Sequence, residues 1–338
     1  MNLPQHLFAN PEFYPAGIDI KRYAINFIRM SREAYEKSSF LDDRLWRTSA
    51  EECSAGIEDL FCLPVPARPR VCYVLHSAFC CSTLLARYLQ LIPSCFVLKE
   101  PLLLTQIAMA MPDSVGAGES NPIPDVDPYW LRVLDLSLDL LGRVYIPGQT
   151  VIIKAAPACN SLGQLLLERD ERSRIVFVSI ALRTFILSTL KSAGRRQWLR
   201  QRLPFLTHVA RSIPELAGID PRYFSDSKVA AYQWLVNETL RGQLTTGANS
   251  SRVITFDGEA IAETPGSVVR SVSRHFDLIG DDYQIEELMG HETARRHSKT
   301  PAALYDANTR RAEFTILEGT FGAEAQTGIE WVESVRIS

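Results

Sequence analysis

No run of apolar residues in this 338-residue chain approaches the roughly 20 needed to span a bilayer. The longest are broken by Lys, Arg or Asp, so no membrane span is expected. Charge of one sign is also missing: 36 basic against 39 acidic residues leave a net charge of −3. That balance gives no reason to expect nucleic acid or an anionic membrane as partner, and any anion-binding surface must be local. Regular cysteine spacing is absent. The seven cysteines, Cys53, Cys62, Cys72, Cys80, Cys81, Cys95 and Cys159, are odd in number and irregularly placed. Reduced thiols in a cytoplasm explain them more simply than a disulfide framework. The vicinal pair Cys80-Cys81 lacks further Cys or His partners at ligand spacing, so no metal is expected. No positively charged segment with an apolar core opens the chain, which argues against a signal peptide. Internal repeats and low-complexity tracts are also lacking.

The most informative absence lies in Val71–Pro101, VCYVLHSAFCCSTLLARYLQLIPSCFVLKEP. The pattern predicts a strand (Val71–Leu75), a tight polar turn (His76–Ser82), a helix (Thr83–Leu91) and a second strand (Cys95–Leu98). A strand feeding a turn that opens a helix suits an anion, because the helix N-terminus offers unpaired N–H groups and partial positive charge. Ser82 and Thr83 stand where hydroxyls cap a helix or reach a ligand oxygen. Yet the glycines and lysine of GxxxxGK[ST] are not there.

Around this stretch, residues 1–20 read as an extended arm. Apolar spacing predicts a helix over Ile18–Leu45, with another helical turn or two near Ala50–Cys62. Pro64, Pro66 and Pro69 then break any helix before the first strand. After Pro101 come a helix (Leu102–Met111), a Gly/Pro/Asp-rich loop suited to covering a site, and a helix over Tyr129–Val144. Strands follow at Thr150–Ile153, Arg174–Ile180 and Arg252–Phe256, with helices at 158–169, from Arg183, over Asp226–Thr245, and from Thr264 to near Phe276. The arginine-rich run RRQWLRQR (Arg195–Arg202) reads as a solvated helix face. Strands alternating with helices predict an α/β fold with one mostly parallel sheet covered on both faces. Ligands in such sheets bind at the carboxyl ends of the strands. His76–Thr83, Glu100, Lys154 and the segment after Ile180 all fall there.

HSAFCCSTLLARYL, then VLKEP, VIIKAAP and a strand-to-helix segment ending in Ser, resembles the sulfotransferase family, its bacterial members above all, across roughly residues 70–300. The resemblance implies a P-loop-like three-layer fold over residues 70–338, with residues 1–69 as an N-terminal arm and helical extension. It also implies transfer of a sulfuryl group from 3′-phosphoadenosine 5′-phosphosulfate (PAPS) to a hydroxyl or amine of a small molecule or saccharide, releasing 3′,5′-adenosine diphosphate. Phe79-Cys80-Cys81-Ser82-Thr83 corresponds to the family's phosphosulfate loop: Ser82 and Thr83 fit the hydroxyl positions, Cys81 replaces a glycine and Phe79 a basic residue. With Ser77 these residues would cradle the nucleotide. Lys154 matches a lysine after a middle strand and is the candidate for the missing charge. Ser188 fits the serine of the 3′-phosphate site. Ile180 stands where its arginine belongs, and Arg183 is the substitute within reach. Arg295, Arg296, His297 and Lys299 resemble the family's basic C-terminal segment.

Sulfuryl transfer is an in-line displacement, so the protein positions both substrates, neutralises the leaving phosphate and supplies a base. Glu100 is the first choice for the base. Pro101 is expected to push it into an extended conformation, and its structural alternatives are capping the next helix or pairing with Lys99. His76 could act as base, phosphate ligand or structural residue. A homodimer is compatible with this reading. The competing function is a protein of the same fold that has lost PAPS chemistry and serves as an interaction module or uses another donor. A P-loop kinase is least favoured, because GK[ST] and a clear Mg²⁺-binding Asp are missing.

Overall fold

The computed structural model describes residues 7–47, 52–112, 127–278 and 307–337. Its centre is a five-stranded parallel sheet of β4 (Val71–His76), β5 (Cys95–Lys99), β6 (Thr150–Lys154), β7 (Ile175–Ser179) and β8 (Val253–Asp257), ordered β5-β6-β4-β7-β8. Every residue of β4, β5 and β6 is buried. That is why these strands read as continuous apolar runs rather than alternating ones. Each fully buried Val, Ile or Leu contributes about 1.5–3 kcal/mol against remaining exposed.

Helices cover both faces, giving the expected three-layer α/β fold. On one side α3 (Ser82–Gln90) packs with α10 (Gly258–Glu263) and α11 (Pro265–His275). On the other, a 3₁₀ segment (Pro157–Leu162) running into α6 (Gly163–Arg169) packs on β4, with α4 (Leu102–Met109) and α9 (Asp226–Thr246) against it. Further elements are α5 (Pro128–Leu141), α7 (Leu182–Leu190), α8 (Ala193–Arg211) and a long α12 (Ala307–Ile337) lying on α7 and α9. Among the described residues, no helix is long and apolar enough to cross a membrane.

The helix expected over Ile18–Leu45 does not form. That stretch belongs to an antiparallel sheet of β1 (Phe13–Asp19), β2 (Ala24–Arg29) and β3 (Glu52–Gly56), with only a short α1 (Arg32–Lys37). Asp19 explains the difference, since its carboxylate accepts the N–H groups of Lys21 and Arg22 at 3.0 and 3.2 Å. An Asp that ties up the next amides makes a turn, and Ile25 and Phe27 then alternate into the core as strand residues. The turns expected near Ala50–Cys62 reduce to β3 and a short α2 (Ile57–Phe61).

This small sheet rests on α4 and α5 and is fastened by Arg143, which is 5 % exposed. Its guanidinium donates to the carbonyls of Leu140, Leu7, Asn10 and Phe13 at 2.5, 2.7, 2.9 and 2.6 Å.

Candidate functional site

The carboxyl edge of the parallel sheet gathers the chemistry. β4 ends at His76, and the chain turns through Ser77–Cys81 into α3. Ala78, Phe79 and Cys81 have φ of +76°, +56° and +59°, the left-handed region that glycine enters freely and other residues enter at about 1–2 kcal/mol each. The loop therefore keeps a glycine-like path without a glycine. Strain of this kind persists only where its surroundings enforce it. Asn160 holds the loop's start: its Oδ1 accepts the His76 N–H at 3.3 Å, and its Nδ2 donates to the His76 carbonyl at 3.0 Å and to Asn237 Oδ1 at 2.7 Å. On the far side Gly258 leaves room, since a Cβ there would lie 2.4 Å from the Cys80 carbonyl oxygen. Among the described residues, no amide from Phe79 to Thr83 donates to a backbone carbonyl. These N–H groups and the α3 N-terminus form a cradle suited to phosphate oxygens.

Beside it lies a buried charged cluster. The Lys154 ammonium, 1 % exposed, contacts the Glu100 carboxylate. The Glu100 N–H donates to the Lys154 carbonyl at 2.6 Å. Glu100 is not extended as its place before proline suggests: its φ is +54°. From this left-handed bend both its backbone and its side chain bond to Lys154. Neither structural alternative for Glu100 holds. α4 has Pro101 as its cap residue with no side-chain cap, and Lys99 donates instead to the Glu36 carbonyl and Gln90 Oε1 at 2.9 and 2.6 Å. Burial pushes the Glu100 carboxyl upward, but Lys154 and His76 together outweigh it and hold the group well below the usual carboxylate range.

His76 is 3 % exposed. Its Nδ1 accepts the Ala78 N–H at 3.0 Å, so in the neutral ring the proton sits on Nε2. Nε2 has no hydrogen-bond partner and stands 3.6 Å from Glu100 Oε1. Burial, then the neighbouring Lys154 charge, lowers the imidazole to about 4, which makes it a neutral donor at physiological pH.

The loop hydroxyls and thiols turn inward. Ser77 and Ser82 are buried, Thr83 is half-buried, and Cys81 takes the α3 cap position without a side-chain cap. Burial pushes the Cys80 thiol up, with Ser82 hydrogen-bonding beside it, and raises Cys81 to about 11. Neither is a thiolate at neutral pH. All seven cysteines are free, and no group of three or more metal-binding side chains gathers among the described residues.

The remaining expected residues divide. Ser188 is buried, and its carbonyl accepts Arg195 Nη1 at 2.6 Å. Arg183 is engaged elsewhere, bonded through Nε to Glu318 at 3.0 Å and through Nη1 to Gln326 at 3.1 Å on α12. Arg295, Arg296, His297 and Lys299, and nearly all of the loop between α4 and α5, lie outside the described residues.

Three contributors were not legible as site residues. Phe40 puts its ring 5.6 Å from Lys154 Nζ, with Arg44 stacked on it at 4.1 Å, so residues before 69 help to line the cluster. Arg195 lies over the Phe79 ring at 4.7 Å, and Arg202 over Trp198 at 4.8 Å. The run RRQWLRQR is thus not one solvated face: Arg196 and Arg200 pair with Asp226, while Arg195 and Arg202 turn inward. The seven-residue spacing of these two around Trp198 was the signal available.

No family model and no curated protein matches this chain. Solved structures do. A sulfotransferase from Alicyclobacillus acidocaldarius is 14% identical over 66% of this chain and 90% of its own, with a TM-score of 0.37. The sulfotransferase domain of the Synechococcus PCC 7002 olefin synthase is 15% identical over 77% of this chain and 98% of its own, at 0.39. Mouse sulfotransferase SULT7A1, solved with PAP, is 11% identical over 66% of this chain and 65% of its own, at 0.31. Likenesses this distant carry no argument about activity, which rests on the site's own residues.

Proposed function

We propose that this chain is a sulfotransferase-like enzyme moving a sulfuryl group from PAPS to a hydroxyl or amine of a small molecule or saccharide. The observation that carries the reading is the loop after β4. Its left-handed residues Ala78, Phe79 and Cys81 leave five successive amides uncommitted to backbone carbonyls at the start of α3, beside buried Lys154.

In this reading the Phe79–Thr83 amides hold the phosphosulfate and Lys154 neutralises the leaving phosphate. The bond from sulfur to the bridging oxygen breaks as the acceptor oxygen or nitrogen bonds to sulfur, and the acceptor's proton passes to Glu100. Paired with Lys154, Glu100 is ionised but weakly basic. As charge grows on the leaving phosphate, Lys154 is shared between two anions, and Glu100 gains basicity as the proton is released. His76 serves as an Nε2–H donor rather than a base, because its Nδ1 lone pair already accepts the Ala78 amide. Phe40, whose ring lies near Lys154 Nζ, would border the acceptor's side.

The alternative of an interaction module without PAPS chemistry draws on Phe79, whose ring packs against Phe185 and Trp198 on the loop crest. Calorimetric titration with 3′,5′-adenosine diphosphate separates the two. Micromolar binding that is lost in Lys154→Met supports the enzyme; absence of binding to that nucleotide and to PAPS overturns it. Glu100→Gln should then lower turnover by about 10²–10⁴-fold, and an unchanged rate would remove Glu100 as the base.

A further inference from the structure

The loop carries no fixed positive charge: from His76 to Ala86 there is no Lys or Arg. A phosphate-ester anion seated on it needs countercharge from outside. Most nearby cations are engaged. Lys154 contacts Glu100, Arg310 forks onto Glu259 at 2.8 and 2.7 Å, Lys191 contacts Glu313, and Arg183 is bonded to Glu318. Arg202 differs. Among the described residues it makes no ion pair, and its Nε is buried without a hydrogen-bond partner. Its charge nevertheless acts on both His76 and Glu100.

Arg202 is also held rigidly. Arg195, Trp198 and Arg202, at i, i+3 and i+7, share one face of α8. That face and the loop crest form a continuous stack: Arg195 on Phe79 at 4.7 Å, Phe79 against Trp198 with centroids 5.7 Å apart, and Trp198 beneath Arg202 at 4.8 Å. Phe79 touches Phe185 at the same centroid distance. Phe79 and Trp198 thus form the aromatic surface on which Arg195 and Arg202, respectively, are stacked.

We propose that Arg202 is a second cation, beside Lys154, that contacts the bound phosphate-ester anion, with Arg195, Phe79 and Trp198 as the stack that positions it. A buried guanidinium donor without a partner costs free energy that an anionic oxygen would recover. A ligand with two adjacent anionic groups, one for the loop amides and one for Arg202, would suit this pairing: a diphosphate or a mixed phosphoric–sulfuric anhydride. The choice between these rests on the sulfuryl-transfer reading; the anion site itself does not.

The test uses pyrophosphate and 3′,5′-adenosine diphosphate as separate calorimetric probes of the full chain at low and moderate salt. Arg202→Gln should weaken pyrophosphate at least about tenfold and flatten its salt dependence, while Arg202→Lys recovers part of the affinity. Arg196→Gln, on the same helix as Arg202 but paired with Asp226 of α9, should bind like the unmodified protein, and thermal melts confirm that each variant is folded. If the unmodified chain binds pyrophosphate but not the nucleotide, and Arg202→Gln loses it, the anion site stands and the sulfuryl-donor reading falls. If folded Arg202→Gln binds both probes like the unmodified chain, the assignment of Arg202 is overturned and the function is untouched. Failure of the unmodified chain to bind either probe overturns both.

Discussion

Arg143 is buried and Arg202 partly so, and neither has a carboxylate partner among the described residues, yet they are held in opposite ways. Arg143 directs its donors at four carbonyls and ties the chain near Leu7, Asn10 and Phe13 to the end of α5. Arg202 lies on an indole with its Nε unmatched, and its charge is felt at His76, whose Nε2 is also unmatched. A saturated buried cation is a structural fastener. An unsaturated one beside other unsaturated groups marks a place where a ligand completes the hydrogen bonding. The same contrast separates Lys99, fixed by the Glu36 carbonyl and Gln90, from Lys154, whose one anionic partner is a carboxylate that a substrate can compete for.

The comparison breaks most sharply at Arg143. Arg143→Met removes the side-chain donors from four carbonyls and should cost about 3–4 kcal/mol, seen as a lowered urea midpoint. Nucleotide affinity of the remaining folded protein should not change; a loss of affinity without a loss of stability would erase the distinction between fastener and site. Lys154→Met comes next. It leaves the Glu100 carboxylate without its cation, should cost about 2–3 kcal/mol, and should lower turnover by about 10²–10³-fold, readable by denaturation and by steady-state rates.

Gly258→Ala probes the loop's support. The new Cβ would meet the Cys80 carbonyl and Ile180 Cγ2 at 2.4 and 2.8 Å, so a loss of about 1–3 kcal/mol is expected, together with weaker nucleotide binding because the cradle shifts. A neutral effect on both would show that the loop path is not enforced from that side.

His76 gives a pH test. Its folded value, about 4, lies below the ordinary 6.5, so between these values the unfolded chain binds more protons. Stability should fall as pH drops from about 6.5 to 4, by up to about 3 kcal/mol from this residue, with no further loss from it below that range. His275 is shifted in the same direction by burial, so His76→Gln should reduce the slope without abolishing it. An identical slope would mean that the imidazole is not buried neutral. The smallest effect is expected at Cys81, whose φ of +59° suits glycine: Cys81→Gly should change stability by no more than about 1 kcal/mol and keep ligand binding, whereas Cys81→Val should destabilise.

Much of the central fold was legible because its strands are buried on both faces. Val71–Leu75, Thr150–Ile153 and Arg174–Ile180 could be bounded to within a residue or so, since continuous apolar runs between polar turns have few other solutions. The N-terminal sheet was not legible. Its apolar spacing over Ile18–Leu45 fits a helix as well as a hairpin, and the Asp19 turn that decides between them carries no glycine to announce it. At the candidate site, His76, Glu100 and Lys154 were readable as candidates because each ends or directly follows a strand. The path of the loop was obscured, because Ala78, Phe79 and Cys81 occupy a conformation that composition assigns to glycine. The roles of Phe40, Arg195 and Arg202 depend on packing between distant segments, which no local pattern encodes.

The central claim is that the amides of Phe79–Thr83 await an anion. Backbone amide NMR of the deuterated chain titrated with 3′,5′-adenosine diphosphate tests it directly. Saturable downfield shifts concentrated at residues 79–83, at micromolar nucleotide, are the predicted result. Unmoved amides across that loop at saturating nucleotide would contradict it.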